Sequence, residues 1–226
     1  MTTAALRPAS TVVVVRDAPG ADGFEVLMVR RNDKVAFMAG AYVFPGGRVD
    51  DEDVAQAGGD AAEAHRLAAV REVQEEAGVV VDASELILFA HWVTPEIEIR
   101  RYDTRFFLVR MPEGQEPRHD ASETTEFAWL SPRTAIERCT RGEIMLPPPT
   151  WTTLKRMLRY RTAADLLAWA GAVESIPRVQ PQFFKDTHQS VLTLPGDPSY
   201  PTIDGWEVPE ETRFVLQDGR WRPMPR

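Results

Sequence analysis

Hydrophobic and polar positions along the first 130 residues alternate between two periods, and the switches between them outline the elements. Ser10–Arg16 is a β-branched apolar run that reads as a buried strand, and Phe24–Arg31 reads as its hairpin partner across the turn chemistry of Pro19-Gly20-Ala21-Asp22-Gly23. Tyr42-Val43-Phe44 is a short strand running into Pro45-Gly46-Gly47, while Asn32–Gly40 and the acidic, aperiodic Arg48–Gly59 read as loops, the second as an insertion. The period then lengthens. Asp60 is placed to cap a helix that runs to about Ala77, where Gly78 can take the left-handed conformation that stops it. Leu67, Val70, Val73, Gln74 and Ala77 are expected to face the core, leaving the acidic positions opposite.

Leu86–Val93 and Arg100–Arg110 read as strands joined through Thr94–Glu98, and a polar connection, Pro112–Thr124, leads to the strand Glu126–Leu130. Ser131-Pro132 combines a capping side chain with proline at the first helical position, so a helix follows to about Gly142. Pro147-Pro148-Pro149 is expected to be a rigid joint before amphipathic helices at Thr150–Tyr160 and Ala163–Ala172. Around Trp151, Leu154 and Leu158 the first of these reads as core. Strands on both sides of one helix, with more helices later, predict an α/β layered domain with a mixed sheet. Residues 1–9 look like a loose leader, 10–173 the domain with its C-terminal helices, and 174–226 an ordered extension that packs back on it. In the extension Asp218-Gly219 marks a hairpin.

Composition narrows the function classes. A formal charge of −8 argues against general nucleic-acid binding, which needs a basic face. The one cysteine, Cys139, excludes an intramolecular disulfide and a cysteine-rich zinc site, and reads as an inert thiol. No apolar stretch approaches the roughly 18 residues of a membrane span, and no signal peptide is evident, so a cytoplasmic setting is expected.

The chemistry concentrates in Arg71-Glu72-Val73-Gln74-Glu75-Glu76-Ala77-Gly78. Helical spacing puts Glu72, Glu75 and Glu76 on one arc with Arg71 at its edge, and side chains three and four apart sit only about 5–6 Å from each other at Cβ. Such a set of oxygen donors suits a hard divalent cation. A solvated acidic face is the plain alternative, since like charges that close cost little in water.

With Val79 following, the whole run resembles the core of the Nudix box, the signature of hydrolases that split diphosphate links in nucleotide derivatives. The resemblance covers roughly residues 10–160 and implies an α/β/α sandwich with a mixed β-sheet, to which the C-terminal helical and extended segments are additions. It implies Glu72, Glu75 and Glu76 as ligands of Mg²⁺ or Mn²⁺, with backbone oxygens of the Gly46-Gly47 turn beside them, and Arg71 holding a carboxylate, most simply Glu75. Glu75 is implied as a catalytic group too, and Glu123, six residues before Trp129, as a further ligand or base. The chain departs from the box in one place: its first glutamate position falls on Glu63, but its glycine position falls on Ala57, ten residues after Gly47. An insertion within 48–59 follows, and Glu63 reads as structural.

Arg101–Phe107, Trp129-Leu130-Ser131-Pro132 and Gly142–Pro148 are similar to one branch of that family, the peroxisomal coenzyme A diphosphatases. This implies CoA or acyl-CoA as substrate, with ADP-ribose, reduced NAD and dinucleoside polyphosphates as alternatives. A non-catalytic nucleotide-binding module and an RNA-end hydrolase are readings of other kinds. The C-terminal Met224-Pro225-Arg226 is not a peroxisomal address, so the setting does not carry over. Arg30, Arg31, Lys34, Arg100, Arg101 and Arg105 are the cations available for phosphates, and Phe37 and Met38 the apolar groups for the arm of such a substrate. The expected partner is a small nucleotide diphosphate conjugate, without membrane or general nucleic acid, and family habit adds a homodimer.

Overall fold

A computed structural model of the chain describes residues 4–19, 23–32, 39–118, 124–185 and 189–224, and the side chains of 124 and 125 are not among what it describes. In chain order the elements are β1 (Leu6–Asp17), β2 (Phe24–Arg31), β3 (Tyr42–Val43), β4 (Gly46–Arg48), α1 (Asp51–Gln56), α2 (Ala61–Ala77), β5 (Ile87–Val93), β6 (Arg101–Arg110) and β7 (Thr124–Leu130). They continue with α3 (Pro132–Thr140), α4 (Pro148–Met157), α5 (Ala163–Gly171), β8 (Arg178–Val179), β9 (Gln182–Lys185), β10 (Ser190–Thr193), β11 (Arg213–Gln217) and β12 (Arg220–Met224).

The main sheet runs β3-β2-β1-β6-β5-β8, with β4 paired to β1 and β7 to β2. It is mixed: β1 lies parallel to β6 and β5 parallel to β8, and the other pairs are antiparallel. Central strand β1 is covered on both faces, which is why its sequence is a near-continuous valine run. Val12 and Val14 join Leu27, Phe107 and Val109 under α2, while Val13 and Val15 join Val26, Met28 and Leu108 in the larger core with α3, α4 and α5. The α/β/α sandwich follows from that alternation.

One edge of β1 serves two partners, and this makes the functional site. Val15–Asp17 pair with β2, whereas Ala9–Thr11 pair with β4. The chain between those partners places Gly46 and Gly47 on β1 beneath α2. Asp60 caps α2 by accepting the N–H groups of Ala62 (2.8 Å) and Glu63 (3.2 Å), and Gly78 ends it at φ 65°.

Four readings of the sequence are corrected. The first strand begins at Leu6, so residues 6–9 are not a loose leader: they pair in register with Arg101–Thr104 of β6. The stretch Arg48–Gly59 is not a structureless insertion but the end of β4, the helix α1 and a glycine turn. The buried face of α2 is rotated from the expected one. Ala64, Ala68, Ala69, Val73 and Ala77 are buried, Leu67 and Val70 only partly, and Gln74 is exposed. Small side chains let the helix lie close on the sheet, which a reading weighted to large residues misses. Pro147–Pro149 form no separate joint; Pro147 is the N-cap of α4 and Pro148 its first residue.

The C-terminal segment is built onto the domain. Strand β8 extends the main sheet beside β5, β9–β12 form a second antiparallel sheet, and Trp206 packs edge-to-face on Trp92 at 5.7 Å. Asp218 and Gly219, both at positive φ, turn β11 into β12. Cys139, partly buried at the edge of the larger core, has its thiol pushed up by burial, in keeping with an unreactive group. Trp151 and Leu154 are buried core side chains as expected, and Leu158 is at the surface.

Candidate active site: carboxylates against a glycine strand

Arg71 organises the acidic end of α2. Its Nη1 donates to Glu72 (2.8 Å) and Glu75 (3.1 Å), its Nη2 to the carbonyl of Arg48 (2.9 Å) and to Asp53 (2.9 Å), and its Nε again to Asp53 (3.3 Å). The expected link to Glu75 is present, but Asp53 of α1 is the stronger partner. These bonds, Asp53 first and Glu72 next, push the guanidinium still further up from its ordinary value. Asp53 is buried, and its second oxygen also accepts the N–H of Asp50 at the helix N-cap (2.8 Å). One arginine thus ties α1, α2 and the end of β4 together.

The three glutamates are not equivalent. Glu76 is only 8% exposed and accepts the N–H of Gly46 at 3.0 Å. Glu72 is folded against Gly47 so closely that a Cβ there would lie 2.3 Å from its Oε1. Glu75 is the outermost, its side chain 57% exposed. Contrary to a simple division into core and carboxylate faces, Glu72 and Glu76 point into the crevice between α2 and β4. Among the described residues no three acidic, imidazole or thiol groups are drawn to one point, because Arg71 takes Glu72 and Glu75 while Gly46 takes Glu76. The donor set fits a hard divalent ion: carboxylate oxygens meeting a backbone that only glycine brings so near. Replacing Gly47 by Ala is expected to displace the flexible end of Glu72 at little cost in stability, while lowering kcat about 10–100-fold, the scale of disturbing a ligand's support. Thermal unfolding and turnover measured on the same preparation check it.

An apolar cleft of about 210 Å³ opens beside this crevice, on the other side of Gly46. Its walls include Phe44, Trp92, Tyr102, Phe106, Trp221 and the Pro147–Pro149 run, with Arg31 and Glu98 at its polar points. Of the cations expected for phosphates, Arg31 lines the cleft and Arg30 lies beside it in β2, opposite Tyr42. Arg101 is buried and donates to the carbonyls of Thr94 (3.2 Å) and Ala4 (3.4 Å) and to Gln180 (3.2 Å), so its place is structural. Strand alternation sends Tyr102, Thr104 and Phe106 to the cleft and Arg105 to the other face, near His65. There burial first, and the Arg105 charge second, hold the His65 imidazole down at about 4, while Ser10 donates to the His65 carbonyl at 2.7 Å. Lys34, Phe37, Met38 and Glu123 lie outside the described residues.

Asp53 and Glu98 escaped the sequence reading. Asp53 had a signal, since Asp50-Asp51-Glu52-Asp53 has the spacing of a capping box. Glu98 had none, because its setting is made by segments far apart in the chain.

A family model for the NUDIX domain matches residues 6–151. The chain belongs to the Nudix family. A Caenorhabditis elegans relative with nudix hydrolase in its name is 29% identical over 85% of this chain and 75% of its own length. The human acyl-coenzyme A diphosphatase NUDT19 is 25% identical over 80% of this chain and 74% of its own. A Nudix hydrolase of Alicyclobacillus acidocaldarius has a crystal structure that superposes with a TM-score of 0.66, at 27% identity, over 74% of this chain and 97% of that one. The Nudix sandwich is therefore the fold, and the chain is a Nudix diphosphohydrolase acting on small nucleotide conjugates. Hydrolases of this family generally need divalent metal ions. Among the described residues, no helix is long and apolar enough to cross a membrane.

Proposed function

We propose that this Nudix enzyme hydrolyses the diphosphate link of CoA or acyl-CoA with Mg²⁺ or Mn²⁺, releasing a 3′,5′-phosphorylated adenosine and an (acyl-)phosphopantetheine. The observation that carries the reading is Gly46. It anchors the Glu76 carboxylate on one side and forms part of the apolar cleft on the other, so one end of a substrate in the cleft has its diphosphate beside the carboxylates. The similarity to NUDT19 supports the choice of a CoA thioester or its free thiol.

In this reading Glu72, Glu75 and Glu76, with backbone oxygens at Gly46-Gly47, would hold the metal. When bound, it would neutralise phosphate charge and lower the pKa of water. Arg71 orients Glu72 and Glu75, and Asp53 fixes Arg71. Arg31 offers a fork for a phosphate at the cleft mouth. Water adds to one phosphorus as the bridging P–O bond breaks. The water's proton passes to a carboxylate, with Glu123 or Glu75 as the base, and the leaving phosphate departs as a monoester.

A substrate panel tests this: CoA, acetyl- and longer acyl-CoA, ADP-ribose, NADH and diadenosine polyphosphates, each with Mg²⁺ and Mn²⁺. The expected result is a kcat/KM at least about tenfold higher for the CoA compounds than for the rest. Preference for another conjugate would replace the substrate. Silence across the panel with metal shown to be bound would replace hydrolysis by nucleotide binding alone.

A further inference from the structure

Among the described residues, the cleft has one acidic group, and its carboxylate makes no hydrogen bond or ion pair. This is Glu98, which lines the cleft among aromatic and proline walls. Burial alone holds its carboxyl above the usual value. A half-buried carboxylate beside apolar walls, with no protein partner among the described residues, is open to a donor from a ligand in the cleft.

Its position is built rather than incidental. At the base of the β5–β6 loop the Thr94 N–H donates to the Tyr102 carbonyl at 2.9 Å, the Thr94 hydroxyl accepts the Tyr102 N–H at 2.9 Å, and buried Arg101 donates to the Thr94 carbonyl. The Glu98 N–H closes a turn onto the Pro95 carbonyl at 3.2 Å. Thr94, Pro95, Arg101 and Tyr102 therefore fix where Glu98 meets the cleft.

We infer that Glu98 is a specificity-determining residue that reads the 6-amino edge of an adenine ring stacked in this cleft. The inference rests on the reading of the cleft as the place of one substrate end, and names which end. Tyr102 and Trp221, the partly exposed rings among the cleft walls, offer faces for a planar heterocycle, and base–aromatic stacking accepts any base. Discrimination must then come from a polar group at the ring edge. A carboxylate accepts from an exocyclic amine and repels the oxygen that a 6-oxo purine has at the same place. The flexible amide arm of CoA offers donors too, but no planar face to match these walls.

The test compares AMP with IMP by calorimetry, and the adenine substrate that the enzyme cleaves with its 6-oxo counterpart, in the wild type, Glu98→Leu and Glu98→Gln. Wild type is expected to prefer the adenine compound by about 10–100-fold, the worth of one hydrogen bond to a charged group. Glu98→Leu should bring the preference to within about twofold, raising KM with kcat little changed, as loss of uniform binding does. Glu98→Gln should keep binding the adenine compound but narrow the preference, because its amide can accept from the 6-amino group or, flipped, donate to a 6-oxo group. An undiminished preference in Glu98→Leu, or none in the wild type, overturns the inference. AMP and IMP binding decides it even where no panel compound is cleaved, so its failure is distinct from failure of the hydrolase reading. Circular dichroism of both variants separates misfolding from loss of recognition, and Glu98 sits on a surface turn where the change is tolerable.

Discussion

Replacing Glu76 by Gln is expected to lower kcat on the cleaved conjugate by at least about a thousandfold while leaving the fold intact. Several kcal/mol of transition-state stabilisation depend on charge supplied at this point, and each 1.36 kcal/mol is tenfold in rate. The structure makes the separation of activity from stability sharp. Glutamine keeps an oxygen for the Gly46 N–H and nearly the same volume, so the bond that seats the side chain survives. What it loses is a negative charge on a side chain only 8% exposed, and a buried charge is costly to the fold rather than a support for it. Thermal unfolding should therefore move by no more than a few degrees. Full activity in the variant would remove Glu76 from the site.

The second large effect is expected far from the glutamates in sequence. Asp53→Ala deprives Arg71 of two hydrogen bonds and the Asp50 N–H of its acceptor. Breaking a buried ion pair by removing one partner costs about 3–5 kcal/mol, and because Arg71 keeps Glu72, Glu75 and the Arg48 carbonyl, about 2–3 kcal/mol is expected here. The arginine that positions Glu72 and Glu75 is then free to shift, so kcat should also fall about 10–100-fold, the usual effect of losing a ligand's support. Urea unfolding and turnover check the two halves. If both are unchanged, Asp53 does not hold Arg71 in place.

The contrast between these residues shows what was readable in the chain. Helix α2 announced itself at both ends, through Asp60 and Gly78, and its glutamates carried the family pattern without help from the fold. Its rotation did not show, because alanines carry little hydrophobic weight and yet pack closest to the sheet. Helix α1 is six residues long, too short for periodicity to register, so its acidic cap looked like an irregular loop. The pairing of β1 with both β2 and β4 is what turns Gly46 and Gly47 toward α2, and pairing partners are not local information. The cleft is further removed still: Phe44, Trp92, Tyr102, Pro148 and Trp221 come from segments spread over most of the chain. Turn chemistry at Asp218-Gly219 was legible, whereas the sheet it completes was not. The arginines illustrate the same limit. Arg31 and Arg101 look alike as phosphate ligands in the sequence, and only burial shows that Arg101 is consumed by carbonyls.

Titration of Mn²⁺ into the wild type and Glu76→Gln, followed by electron paramagnetic resonance in the presence of a non-hydrolysable diphosphate analogue, tests the central claim most directly. Carboxylates gathered at the Gly46-Gly47 strand predict saturable binding by the wild type and affinity weakened at least about tenfold in the variant. Equal affinities in the two proteins, or no binding by the wild type at millimolar metal, would contradict it.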